Sequence, residues 1–157
     1  MNISIPIDNY NDQHLFFGEP IKNNVINNSV FRRIIYSNDF VSLNNIRLIF
    51  ELNNISVKKF YNKYRCFINN SNDKHIQDIR LIENSILMLL DIKKKPIFSI
   101  TQQIKEGNIK IFSETEIEGK HNFLNLVLKI SGIWESEYEY GLTFKFLYTN
   151  DNSYCEL

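Results

Sequence analysis

Residues 124–148 read LNLVLKISGIWESEYEYGLTFKFLY. Leu124, Leu126, Leu128 and Ile130 alternate with Asn125, Val127, Lys129 and Ser131, and a period of two sends alternate side chains to opposite faces of a strand. After the turn-prone segment 137–141, Leu142, Phe144 and Phe146 alternate in the same way with Thr143, Lys145 and Leu147. The pattern predicts an antiparallel hairpin with one face in the core, and it carries the only tryptophan, Trp134.

Strands are predicted upstream at Leu15–Phe17 and at Val30–Ser37, where Val30, Arg32, Ile34 and Tyr36 share one face and Arg33 the other. A third covers Asn45–Leu52, Asn53-Asn54 marks a turn, and a fourth covers Ser56–Ile68. Met1–Asp12 reads as an extended or frayed entry. Ile76, Ile79, Ile82 and Ile86, followed by Leu89 or Leu90, recur at three- and four-residue intervals, predicting one amphipathic helix over about residues 74–92. Lys93–Lys95 follow its end, and Pro96 stops it. Ile97, Ile100 and Ile104 suit a short helix closed by Gly107, with a hairpin through Gly107-Asn108 as the competing reading. Asn108–Phe112 is a strand and 113–122 an acidic loop.

This order predicts a mainly β fold. It suits a five-stranded Greek-key barrel of the OB type, with the long helix inserted between its third and fourth strands, before the last strands. A β-sandwich with one packed helix is the alternative. One domain is expected over 1–148, with a short polar tail over 149–157.

Eighteen basic residues balance eighteen acidic ones, so the chain as a whole is not a generic polyanion binder. The charge is nevertheless uneven. Seven basic residues (Arg32, Arg33, Arg47, Lys58, Lys59, Lys63, Arg65) face Asp39 and Glu51 between Ser29 and Ile68, whereas from Ser113 onward three lysines face eight carboxylates. The chain has no alanine and is crowded with Asn, Ile and Lys; A+T-rich codons explain this, so Asn-rich loops carry little functional meaning. Two cysteines, Cys66 and Cys155, make no disulfide framework, and a reduced compartment follows. No apolar leader and no run long enough to span a bilayer is visible, which predicts a soluble, non-secreted protein without membrane partners.

His14, His75 and His121 lie in unrelated segments without metal-ligand spacing, and no nucleophile elbow, phosphate loop or dinucleotide fingerprint is present. Glu135, Glu137 and Glu139 resemble a chelating cluster, but solvated charge about a hairpin turn accounts for them more simply. The expectation is a non-enzyme with no metal and no cofactor. Nucleic-acid binding has better support, because single strands are held by cations on the phosphates and by aromatic rings under the bases. A regular strand over Ser56–Ile68 would group Lys59, Tyr61, Lys63 and Arg65 on one face, and Lys58, Phe60, Tyr64 and Cys66 on the other. The simpler alternative makes Phe60, Tyr64 and Phe67 core and the lysines merely solvated. Tyr36, Tyr138 and Tyr140 are the expected exposed rings, and Trp134 reads as a core anchor before a stacking platform.

ISGIWES at Ile130–Ser136 with YGLTFKF at Tyr140–Phe146 resembles the C-terminal signature of a single-stranded-DNA-binding family of nucleo-cytoplasmic large DNA viruses. That family is related to the OB-fold proteins of T-odd phages. FRRIIYS at Phe31–Ser37, the I-E-x-x-I-L pattern at Ile82–Leu87 and GNIKI at Gly107–Ile111 fall in the same order. The resemblance implies non-sequence-specific binding of single-stranded DNA in viral replication, recombination or repair, at a site in the host cytoplasm or nucleus. Viral replication proteins are the implied partners, and a homodimer stays open. On matching positions it implies contacts at Arg33, Tyr36, Trp134 and Lys145. These join Arg32, Arg47, Lys58, Lys59, Tyr61, Lys63, Tyr64 and Arg65 as the expected nucleic-acid-binding set. The long acidic tail of the phage proteins has no counterpart in 149–157, which holds only Asp151, Glu156 and the terminal carboxylate. Two further readings remain: a virion or scaffold protein that binds proteins through its acidic C-terminal hairpin, and a small metal-dependent nuclease.

Overall fold

The computed structural model describes residues 3–25 and 28–148; the expected tail at 149–157 lies outside them. In chain order the strands are β1 (Ile5–Pro6), β2 (Leu15–Phe17), β3 (Ile21–Lys22), β4 (Val30–Ser37), β5 (Ser42–Leu43), β6 (Ile46–Phe60), β7 (Lys63–Phe67), β8 (Lys95–Ile97), β9 (Asn108–Phe112), β10 (Gly119–Glu135) and β11 (Glu139–Leu147). Helix α1 (Lys74–Leu89) lies between β7 and β8, and α2 (Ser99–Lys105) between β8 and β9. The protein is mainly β, and its strands form one large mixed sheet.

The hairpin of residues 124–148 stands at the centre of that sheet. β10 pairs antiparallel with β11 from Val127–Leu147 to Glu135–Tyr140. It also pairs antiparallel with β6 from Gly119–Val57 to Ile130–Ile46, and with β4 from Gly132 to Glu135. Leu124, Leu126, Leu128 and Ile130 are buried as the alternation requires. The register then shifts between Ile130 and Gly132, a bulge at Ser131, and Ile133 becomes the next core residue.

Five strands close a ring in the order β6–β7–β9–β11–β10 and back to β6. Its pairs are antiparallel except β9–β11, which is parallel because β10 intervenes between them in the chain.

Several expectations shift. No turn occurs at Asn53-Asn54: β6 runs through it as one strand. Asn54 adopts φ 51°, a left-handed conformation that asparagine tolerates. There the inward residues change from even (Leu48, Phe50, Leu52) to odd (Ile55, Val57). The chain turns instead at Tyr61-Asn62, inside the expected fourth strand. The entry is not frayed over residues 3–12, since β1 pairs parallel with β6 and Ile5 and Ile7 are core. Strand β4 falls where expected but lies outside the ring. Both helices therefore precede the ring's third strand, one step earlier than anticipated. β10 begins at Gly119, so the acidic loop is shorter than 113–122.

Helix α1 starts as predicted: the Asp73 carboxylate accepts from the N–H groups of His75 and Ile76. It ends at Leu89, short of residue 92, and Pro96 is not its stop. Extended backbone beyond Leu90 lets the Lys95 N–H donate to the Tyr138 carbonyl at 3.0 Å and places Pro96 in an edge strand beside β11. Helix α2 closes as expected, with Gly107 at φ 82° donating to the Ile104 carbonyl.

Two polar contacts fix the helices. Glu83 of α1 is fully buried, and its carboxylate accepts from the N–H groups of Ile100 and Thr101 at 2.8 Å each and from the Thr101 hydroxyl at 2.7 Å. The Tyr140 hydroxyl donates to the Leu87 carbonyl at 3.2 Å, tying β11 to α1. Tyr140→Phe keeps the ring and leaves that carbonyl without its donor, so urea unfolding should show a loss of about 1 kcal/mol.

Candidate nucleic-acid interface

The turn at Tyr61-Asn62 decides which cations share a face. Across it, Phe60 lies opposite Lys63, Lys59 opposite Tyr64 and Lys58 opposite Arg65, and residues opposite one another in a ladder point the same way. Tyr64 and Cys66 are buried. Lys58, Phe60, Lys63, Arg65 and Phe67 therefore occupy the outer face of the ring. A regular strand would have put Lys59 and Tyr61 with Lys63 and Arg65; the hairpin separates them.

The next strands extend this face. Arg65 lies opposite Lys110 of β9, and β9 runs parallel to β11 with Ile111 beside Phe146. Lys110 and Lys145, one position earlier on each strand, are thus neighbours, about 4.8 Å apart at the backbone. Lys63, Lys110 and Lys145 hold their ammonium groups 5.6, 5.5 and 5.2 Å from the centroid of one ring, Phe112. The Arg65 guanidinium lies 5.2 Å from Phe60, and the Lys58 ammonium 5.4 Å from Phe67. Each cation is held over the negative face of an aromatic ring. The row continues to Lys129 of β10, opposite Lys145, and to Arg47 of β6, opposite Lys129.

Among the described residues no carboxylate lies within ion-pair distance of Lys58, Lys63, Arg65, Lys110 or Lys145. The Lys63 ammonium pulls Lys110 below the ordinary lysine pKa, with desolvation and Arg65 adding to the effect. Like charges opposite one another in a sheet are destabilising, so the face holds mutual repulsion.

The other expected residues lie elsewhere. Lys59 is 3.4 Å from Glu116, and Tyr64 and Glu116 hold its ammonium above the ordinary value. Tyr61 is 97% exposed at the tip of the β6–β7 turn. Tyr36 and Tyr140, expected as exposed rings, are only 2% and 3% accessible, whereas Tyr138 is exposed as expected. Tyr36 accepts from the Asn11 N–H and stacks on Tyr10, so its phenol closes the core. Arg32 and Arg33 point opposite ways. Arg32 lies 3.7 Å from Glu135, whose other oxygen is 2.8 Å from Lys94, and Arg33 is exposed opposite Gly132.

Trp134 is half-buried, and its indole lies where a Cβ at Gly141 would stand 2.9 Å from it. Gly132 is likewise required, since a Cβ there would meet the Arg32 carbonyl and the Phe31 ring at 2.2–2.6 Å. Trp134 is thus wedged on a glycine across the hairpin, about four residues along the strands from Lys145.

Lys110 and Phe112, central to the face, are absent from the expected set. Their signal was present in the alternation of Asn108, Lys110 and Phe112 with Ile109 and Ile111 in β9.

Among the described residues no group of three or more His, Cys, Asp or Glu side chains is placed to hold a metal ion, and no helix is long and apolar enough to cross a membrane. Burial pushes the Cys66 thiol up to about 12, away from nucleophilic use at neutral pH. No known protein family, curated protein or solved structure matches the chain.

Proposed function

We propose that this protein binds single-stranded DNA without sequence preference, in viral DNA replication, recombination or repair. The observation that carries the reading is the face of five cations, Lys58, Lys63, Arg65, Lys110 and Lys145, without carboxylate partners among the described residues and seated on Phe60, Phe67 and Phe112. Cations track phosphates, and aromatic surface accepts bases at about 1–3 kcal/mol per stack. Tyr61 and Tyr138, both exposed at turns of the ring, supply further rings.

We read the ring as an OB-like barrel. Its third strand lies beside its fifth, a Greek-key order, and OB barrels bind oligonucleotides over their second and third strands and the adjoining turns. Here those strands are β7 and β9, which bear Lys63, Arg65, Lys110 and Phe112. The viral setting rests on the resemblance of the ISGIWES and YGLTFKF segments, and viral replication proteins are the partners it suggests.

Fluorescence anisotropy with a labelled oligothymidylate tests the proposal. Binding should weaken with salt as condensed counterions are released. The slope of log K against log salt should be about −3 to −4 for five phosphates, at roughly −0.7 per phosphate. Binding that is absent at low salt, or indifferent to salt, refutes it.

A further inference from the structure

We propose a second site: the groove between α1 and α2 is a docking surface for an acidic peptide segment of a partner protein carrying an apolar side chain. The groove has a volume of about 770 Å³, and its walls include Arg80, Leu81 and Asn84 of α1, Phe98, and Gln103 and Lys105 of α2. Among the described residues no aspartate or glutamate lines it. Neither Arg80 nor Lys105 has a carboxylate within ion-pair distance among the described residues. The groove is therefore cationic on both helices, which selects an acidic occupant.

Leu81 stands 66% exposed at its margin and Phe98 is half-buried within it, a place for an apolar anchor. The Asn84 amide both donates and accepts, as an extended peptide backbone requires, and Gln103 offers its NH₂ donor while its oxygen accepts from the Lys110 N–H at 3.1 Å. With two isolated cations and an aliphatic margin, the groove suits a peptide better than a phosphate backbone.

The groove is also preorganised. Glu83 bonds the first turn of α2 to α1 from beneath, fixing the spacing of the two walls. A rigid wall lowers the ordering cost of binding. Apolar packing alone would join two helices without burying a carboxylate, so the clamp indicates that their placement matters.

A short fluorescent peptide alternating glutamate with leucine is the probe. Saturable binding is expected, weakened about tenfold or more by Arg80→Glu with Lys105→Glu, which removes both charge contacts and adds repulsion. Leu81→Asp should weaken it independently, as should serine in place of leucine in the peptide. Alanine at Lys63, Lys110 and Lys145 should leave it unchanged, and the Arg80/Lys105 variant should keep its oligothymidylate affinity. The site is refuted by equal binding of the serine peptide, by binding that survives both charge reversals, or by loss in the lysine-to-alanine variant. A concentration-dependent dimer abolished by Leu81→Asp would make the occupant a second copy and equally overturn the proposal.

Discussion

Replacing Lys63, Lys110 and Lys145 together with alanine should lower affinity for an oligothymidylate about 100-fold at low salt. Each lost phosphate contact contributes roughly 1 kcal/mol. The salt slope should flatten by about 2, at roughly 0.7 per phosphate no longer neutralised. The same variant should not lower the melting temperature. The three ammonium groups surround one ring without a carboxylate among the described residues, and removing mutual repulsion stabilises or leaves the sheet unaffected. Lys59→Ala is the internal control, because that lysine faces Glu116 and Tyr64 instead of the outer row; its affinity should stay close to that of the unaltered protein. Anisotropy across a salt series with thermal unfolding of each variant decides the matter. An unchanged affinity in the triple variant removes the face from the site.

Glu83→Ala should cost about 3–5 kcal/mol of stability in urea unfolding. The carboxylate is fully buried and accepts three hydrogen bonds, from the backbone of Ile100 and Thr101 and from the Thr101 hydroxyl. Truncation leaves two backbone donors at the start of α2 without an acceptor, each worth about 1–3 kcal/mol when buried, and opens a cavity. A loss of that size consumes much of a margin of roughly 5–15 kcal/mol. Glu83→Gln retains the shape but turns an NH₂ group toward donors, so it should be intermediate. A loss below about 1 kcal/mol for alanine would mean that water or a shift of α2 replaces the clamp.

The pattern of residues 124–148 was sufficient for the central hairpin, because alternation over a half-buried strand reports its inward face directly. The same held for Val30–Ser37, for Asn108–Phe112 and for α1, whose isoleucines recur at helical spacing. Glu83 was not legible in this way. A carboxylate within an isoleucine stripe has no local partner, and its three donors lie 17 and 18 residues further along the chain. Tyr36 and Tyr140 misled for a related reason: a tyrosine in a strand is core or surface according to what packs on it.

The sequence by itself determined the central hairpin, the strands at Val30–Ser37 and Asn108–Phe112, and the inward stripe of α1, since period is a local property. It also supplied the cations and rings of the outer face by type. Which of them stand together was decided only by the tertiary structure. Two local irregularities, the left-handed Asn54 inside β6 and the turn at Tyr61-Asn62, set the parity of the side chains in the rest of β6 and in β7. A shift of one residue moves a strand's whole set to the other face. That parity sent Lys59 away from Lys63 and Arg65. Closure of the ring then brought Lys63 and Lys145, distant along the chain, to Phe112, the ring beside Lys110 in β9.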